Sequence, residues 1–187
     1  SFYCWGCVLV ILVSTLFFSL AGIENWHILA CLWALLPLVN LFYFTLVPIA
    51  PLVEEGKAMS IPALLRSRLF WLLALLMVCA GASEQSMSQW ASAFAESGLG
   101  VSKTMGDLAG PCLFAILMGI SRVVYAKISH RVELTKGMAW CGVLCLASYL
   151  LALFSPWPVL ALAGCGLCGL SVGIMWPGTF SLAAKGL

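Results

Sequence analysis

Uncharged apolar runs alternate with short polar connections along the whole chain. The runs predict helices at about residues 2–22, 26–49, 69–95, 104–126, 137–153 and 157–182. Each is close to the ~20 residues a helix needs to cross a bilayer core. The last two come from one uncharged run over residues 137–184, too long for a single crossing. "FSPWP" at 154–158 divides it, because two prolines two positions apart end a helix and favour a turn. "IENWH" after the first run and "ESGLGVSK" after the third read as turns. Barrel strands would alternate polar and apolar positions, and these runs do not. The expected fold class is therefore all-α: a polytopic transmembrane bundle of six spans.

One stretch breaks the apolar pattern. "GASEQSMSQWASAF" (81–94) adds polar groups to the outer half of the third helix, whose first half, "LFWLLALLMVCA", is apolar all round. On a wheel with Glu84 at zero, Ser88, Gly81, Ser92, Gln85 and Gln89 fall within about 140°. Met87, Trp90 and Phe94 fall on the opposite side. Lipid cannot solvate a Gln or a Glu, so this arc should line a cavity or the bundle interior. Glu84 is a candidate proton carrier or hydrogen-bond acceptor. Gln85, Ser88 and Gln89 offer donors and acceptors to a hydroxylated ligand. Trp90 offers a ring face, although its wheel position favours a contact between helices. The competing expectation is that the third helix ends early and leaves Glu84 onward as a wet cap.

Composition sharpens the class. Of 187 residues, 63% are hydrophobic and 9% charged, against about a quarter charged in a soluble domain. The bilayer is the expected partner. A net charge of +2 gives no electrostatic footprint for nucleic acid. All nine cysteines lie in apolar runs, where they read as small packing residues. The C-x-x-C spacings of Cys4/Cys7 and Cys165/Cys168 lack the polar setting of a metal or redox site, so neither metal nor cofactor is expected. No Ser–His, Asp–Asp or HExxH arrangement supports an enzyme.

Lysine and arginine set the expected orientation. Lys57, Arg66 and Arg68 precede the third span. Lys127, Arg131 and Lys136 follow the fourth, and Lys185 follows the sixth. The alternate connections carry Lys103 alone. Loops 51–68 and 127–136 and both chain ends are thus expected in the cytoplasm. Within the spans, Asn40 reads as an interhelical hydrogen-bond residue, Asp107 as an interfacial acid favoured by a helix dipole, and His27 as interfacial. Arg122 either pairs with an acid in a helix outside this segment or snorkels to the cytoplasmic interface. Gly169 and Gly173 form a G-x-x-x-G face for close helix approach, and Pro177 should kink the last span and free a carbonyl one turn earlier.

Three stretches together resemble the major facilitator superfamily, and within it the fucose-permease-like sugar–proton symporters. "GASEQSMSQW" is similar to that family's seventh helix, with Trp90 six residues after Glu84. "SVGIMWPGTFSLA" (171–183) resembles its tenth helix, an I-M-aromatic-P-x-x-F-S-L pattern in which Trp176 is the aromatic residue. "SRVVYAKISHRVELTK" (121–136) resembles the loop after its eighth helix, where Arg122, Lys127 and Arg131 fit a G-R-x7-D-R signature. Ser121 replaces the usual Gly and His130 the usual Asp, so a cytoplasmic latch there would work differently.

The resemblance implies that the chain is a segment of a longer protein, helices five to ten of twelve. Residues 1–50 would close the N-terminal bundle, 51–68 would be the cytoplasmic central linker, and 69–187 would open the C-terminal bundle. It implies a multi-pass transporter of the plasma or inner membrane, monomeric at full length. It would move a small polar solute, a sugar as the leading class, with protons by alternating access. Glu84, Gln85, Ser88, Gln89, Trp90 and Trp176 would belong to the substrate or proton pathway. Arg122, Lys127, His130 and Arg131 would form a cytoplasmic gating loop. An exporter of drug-like solutes and a channel or structural membrane subunit are the alternatives.

Overall fold

The computed structural model describes residues 2–48, 60–128 and 133–186; of the last three residues, 185–187, no side-chain surroundings are described. Its elements are α1 (Phe2–Ala21), α2 (Trp26–Leu46), α3 (Ile61–Arg66), α4 (Arg68–Leu99), α5 (Lys103–Asp107), α6 (Leu113–Ile128), α7 (Leu134–Phe154), α8 (Pro158–Val172) and α9 (Met175–Gly186). A 3₁₀ turn at Ile23–Asn25 precedes α2, and a π turn at Leu108–Cys112 joins α5 to α6. No described residue is in a strand. Helix is the form that satisfies its own backbone groups without water. Six helical stretches are long and apolar enough to cross a membrane: Phe2–Ala21, Ile23–Leu46, Arg68–Leu99, Lys103–Ile128, Leu134–Phe154 and Pro158–Ala184. The fold is an all-α, six-span bundle.

Local chemistry sets the boundaries. The Ser67 hydroxyl caps α4 by accepting from the Phe70 amide. Nothing between Glu96 and Leu99 breaks that helix. It continues four residues past the expected end and stops where Gly100 adopts φ 67°. The turn expected over residues 96–103 is only Gly100–Ser102, and Ser102 at once caps α5. In consequence Glu84 sits at the middle of α4, not towards its outer end. Span four holds a proline inside it. Pro111 cannot donate to the carbonyl four residues earlier, and the backbone widens there into the π turn. Span six is interrupted at Gly173–Ile174, one turn before Pro177.

The core centres on α8, which packs against α4, α6 and α7. Lipid tails are as apolar as leucine, so helices associate here through close packing. The α8 sequence supplies small residues for it. Ala161, Gly164, Cys165, Gly166, Cys168 and Gly169 are all buried. A Cβ on Gly164 would meet the α7 backbone at Ser148 O and Ala152 N, both at 2.8 Å. A Cβ on Gly169 would overlap the carbonyl oxygen of Phe114 on α6, and one on Gly173 would lie 2.9 Å from the Met118 carbonyl. Cys4, Cys145, Cys165 and Cys168 fill the same core as small apolar side chains. By contrast α2 leans on α1, tied by Trp33 Nε1 to Ser14 Oγ at 3.3 Å. Asn40 lies on its exposed face and does not bond another helix among the described residues, contrary to expectation. The α1 contact is made through the other side of α2.

Gly169→Ala should destabilise the full-length protein by about 1–3 kcal/mol or more, because the backbone of α6 would have to move. Gly142→Ala, with nothing within 4 Å of its Cβ, should be neutral. Thermal unfolding in detergent measures both, and equal midpoints for the two variants would contradict the packing described.

Candidate functional site

Glu84 is 4% exposed, and among the described residues no other Asp, Glu, Lys or Arg is buried. Its helix continues fifteen residues beyond it, so the wet-cap expectation does not hold. A charge at the middle of a span costs about 2.5–3.5 kcal/mol on insertion scales unless water or a partner offsets it. The neighbours of Glu84 are suited to that. Tyr3 of α1, Gln85 of α4, Arg122 of α6 and Trp176 of α9 line one cavity of about 270 Å³ with it. Glu84 and Tyr3 also line a second cavity of about 470 Å³, which runs past Cys7, Ser88, Pro111 and Met118. The carboxylate stands where two cavities meet.

The helical wheel explains which members of the polar stretch take part. Glu84, Gln85 and Ser88 face these cavities. Gln89 donates from Nε2 to Gln85 Oε1 at 2.9 Å and is exposed, which steadies the Gln85 amide from outside. Ser92 donates to Asp107 Oδ1, and Lys103 lies 3.5 Å from the same oxygen, so the outer end of the polar arc ties α4 to α5. Met87 and Ala91 pack into the core on the other side. Trp90 is 68% exposed and lines a separate, largely apolar cavity with Phe94, Tyr149 and Cys165. It does not join Glu84.

Arg122 is engaged within the bundle. It is half-buried on α6, donates from Nε to the Gly173 carbonyl at 2.9 Å, and sets its guanidinium over the Tyr3 ring at 5.7 Å. The ion pairs among the described residues are Lys103–Asp107 and Lys136–Glu133. Glu84 and Arg122 share a cavity without forming one, so the carboxylate keeps bonding capacity for a third group. Trp176 rests on Gly81, where a Cβ would lie 3.2 Å from its ring, and stacks at a tilt on Phe180 at 6.5 Å. A larger residue at 81 would push that ring away from the cavity. Lys127 lies in the last turn of α6 and is exposed, while His130 and Arg131 lie outside the described residues. No group of three or more metal-ligating side chains occurs among the described residues.

Sequence reasoning missed Tyr3, which sits in an apolar helix that offered only hydropathy. It also missed the Tyr149 hydroxyl, which donates to the Ser83 carbonyl at 2.9 Å and braces α4 beside Glu84 from α7. Neither had a signal in the sequence, whereas Pro177 announced an orphaned carbonyl four residues before it, the one that Arg122 meets.

The arrangement can hold a small amphipathic molecule between ring faces and polar groups, and it can store a proton on a carboxylate away from lipid. Neither a curated protein nor a solved structure matches the chain. A family model described as Major Facilitator Superfamily matches residues 1–187. With a match over its whole length and a bundle of six membrane-spanning helices, the chain belongs to the major facilitator superfamily.

Proposed function

We propose that this chain forms one wall of the path of a proton-coupled transporter for a small polar solute, with a sugar as the leading class. Membership of the superfamily supports a multi-pass membrane protein that moves a solute by secondary transport. The finer reading rests on one observation, the buried Glu84 in a cavity shared with Tyr3, Gln85, Arg122 and Trp176. Trp176 and Tyr3 supply ring faces for the apolar side of a sugar. Gln85 supplies donors to its hydroxyls, and Glu84 accepts a hydrogen bond when ionised or a proton when not. A carboxylate at mid-span pays for its charge unless it is protonated or hydrated. Loading a proton is therefore coupled to whether the cavity is open to water.

Alternating access would use the interruption between α8 and α9 as a flexible element. Residues 1–50 would belong to one bundle and 69–187 to the other, with 51–68 as the linker between them. Arg66 precedes α4 and Arg68 opens it, Lys127 and Lys136 flank the α6–α7 connection, and Lys103 stands at the opposite end. This pattern supports cytoplasmic placement of the basic connections and of the chain ends in a plasma or inner membrane. The full-length protein would act as a monomer. A second reading, export of drug-like solutes, is favoured by an apolar cavity of about 620 Å³ between α4, α7 and α9, lined by Leu76, Met138, Leu146, Met175 and Leu182 among others.

In full-length protein, Glu84→Gln should lower proton-driven uptake by about tenfold or more, a loss near 1.4 kcal/mol per decade. Transport with unchanged rate and unchanged pH dependence would reject the role of Glu84. Competition by lipophilic compounds with sugars inert would select the exporter reading. For orientation, a cysteine at Ser102 in a background cleared of native cysteines should react with an impermeant maleimide in intact cells. One at Ser60 should react only after permeabilisation, and the reverse pattern would invert the topology.

A further inference from the structure

Pro177 has no N–H, so the carbonyl of Gly173, four residues earlier, has no intrahelical donor. An unmatched carbonyl inside a membrane bundle costs free energy, and nearby water is scarce. Here Arg122 supplies the missing donor from another helix, with Nε 2.9 Å from the Gly173 oxygen. A charged donor gives a stronger bond than the backbone amide it replaces. The break is shaped for this approach. A Cβ on Gly173 would lie 2.9 Å from the Met118 carbonyl and 2.9 Å from Ser121 Cβ, so only glycine lets α6 come this close.

The rest of the guanidinium is also occupied. It lies over the Tyr3 ring of α1, and Nη2 is 3.8 Å from Met118 Sδ. One planar side chain thus bridges α1, α6 and the α8–α9 break. It does so on the wall of the cavity that holds Glu84 and Trp176. Trp176 begins the first turn after the break and leans on Gly81 of α4, so displacement of the break moves this ring relative to Glu84. A lysine ammonium offers a point charge without the flat face that stacks on Tyr3.

We propose that Arg122 is a positioning residue for the α8–α9 break: it closes the Gly173 carbonyl that Pro177 orphans and, through Tyr3, ties the break to α1. Its consequence for solute movement rests on the transport reading above, but its physical test does not. In full-length protein in lipid nanodiscs, Arg122→Ala should speed hydrogen exchange across residues 174–180 by about tenfold or more, with α7 unchanged as the folded reference. Pro177→Ala restores a backbone donor for Gly173. In that background the same Arg122→Ala change should speed exchange by about twofold or less. An equal factor in both backgrounds, or no effect of Arg122→Ala at all, would overturn the proposal. Should Arg122→Ala not fold, Arg122→Gln in the two backgrounds carries the same comparison. In parallel, Arg122→Ala should lower the turnover of solute with little change in KM, and Pro177→Ala should recover part of it. If no solute is found, the exchange comparison still decides the role of Arg122.

Discussion

A carboxylate at the middle of a membrane helix must be given a polar setting by the rest of the fold. Lipid offers nothing to Glu84, so three other helices bring groups to it. Tyr3 comes from α1, Arg122 from α6, Trp176 from α9, and Ser88 and Gln85 from its own helix. The same requirement governs backbone groups. Where Pro177 removes an amide, an arginine from α6 replaces it. Where α8 must lie against α6 and α7, glycines remove the side chains that would keep backbones apart. Polar satisfaction and close approach are linked, since Arg122 reaches Gly173 only because Gly169 and Gly173 let the two helices meet.

This economy gives the bundle two faces of different character. The α7–α8–α6 side is tightly packed by small residues and has no use for charge. The side between α1, α4 and α9 is open, with cavities of about 270 and 470 Å³ converging on one acid. A rigid slab beside an open polar seam suits a protein whose halves move about a central site. The interruption of span six lies at the border of the two faces. There a local shift of α9 changes the cavity without repacking the core.

Much of this was legible in the sequence, because hydropathy and wheel periodicity are one-dimensional. The six spans, the division at residues 154–158 and the cavity face of Glu84, Gln85 and Ser88 follow from spacing alone. Helix ends were less legible. α4 continues to Leu99 because only Gly100, in a left-handed conformation, stops it. Pairings between distant segments were not legible. Tyr3 and Arg122 meet across the bundle, Ser92 turns to Asp107, and Trp90 faces away from the acid. Each depends on how helices cross, which residue type and spacing do not encode. Asn40 shows the converse: a polar residue in a span invites a partner, yet α2 meets α1 through its other side.

The most direct measurement is the water access of the surface beside Glu84. A single cysteine at Ser88, in full-length protein cleared of its native cysteines, can be offered a small charged thiol reagent. It can also be offered a lipid-soluble one. If a hydrated cavity reaches Glu84, the charged reagent modifies position 88, and bound solute slows the reaction. Modification by the lipid-soluble reagent alone, in every condition, would mean that this face is sealed in hydrocarbon and that the carboxylate has no aqueous path.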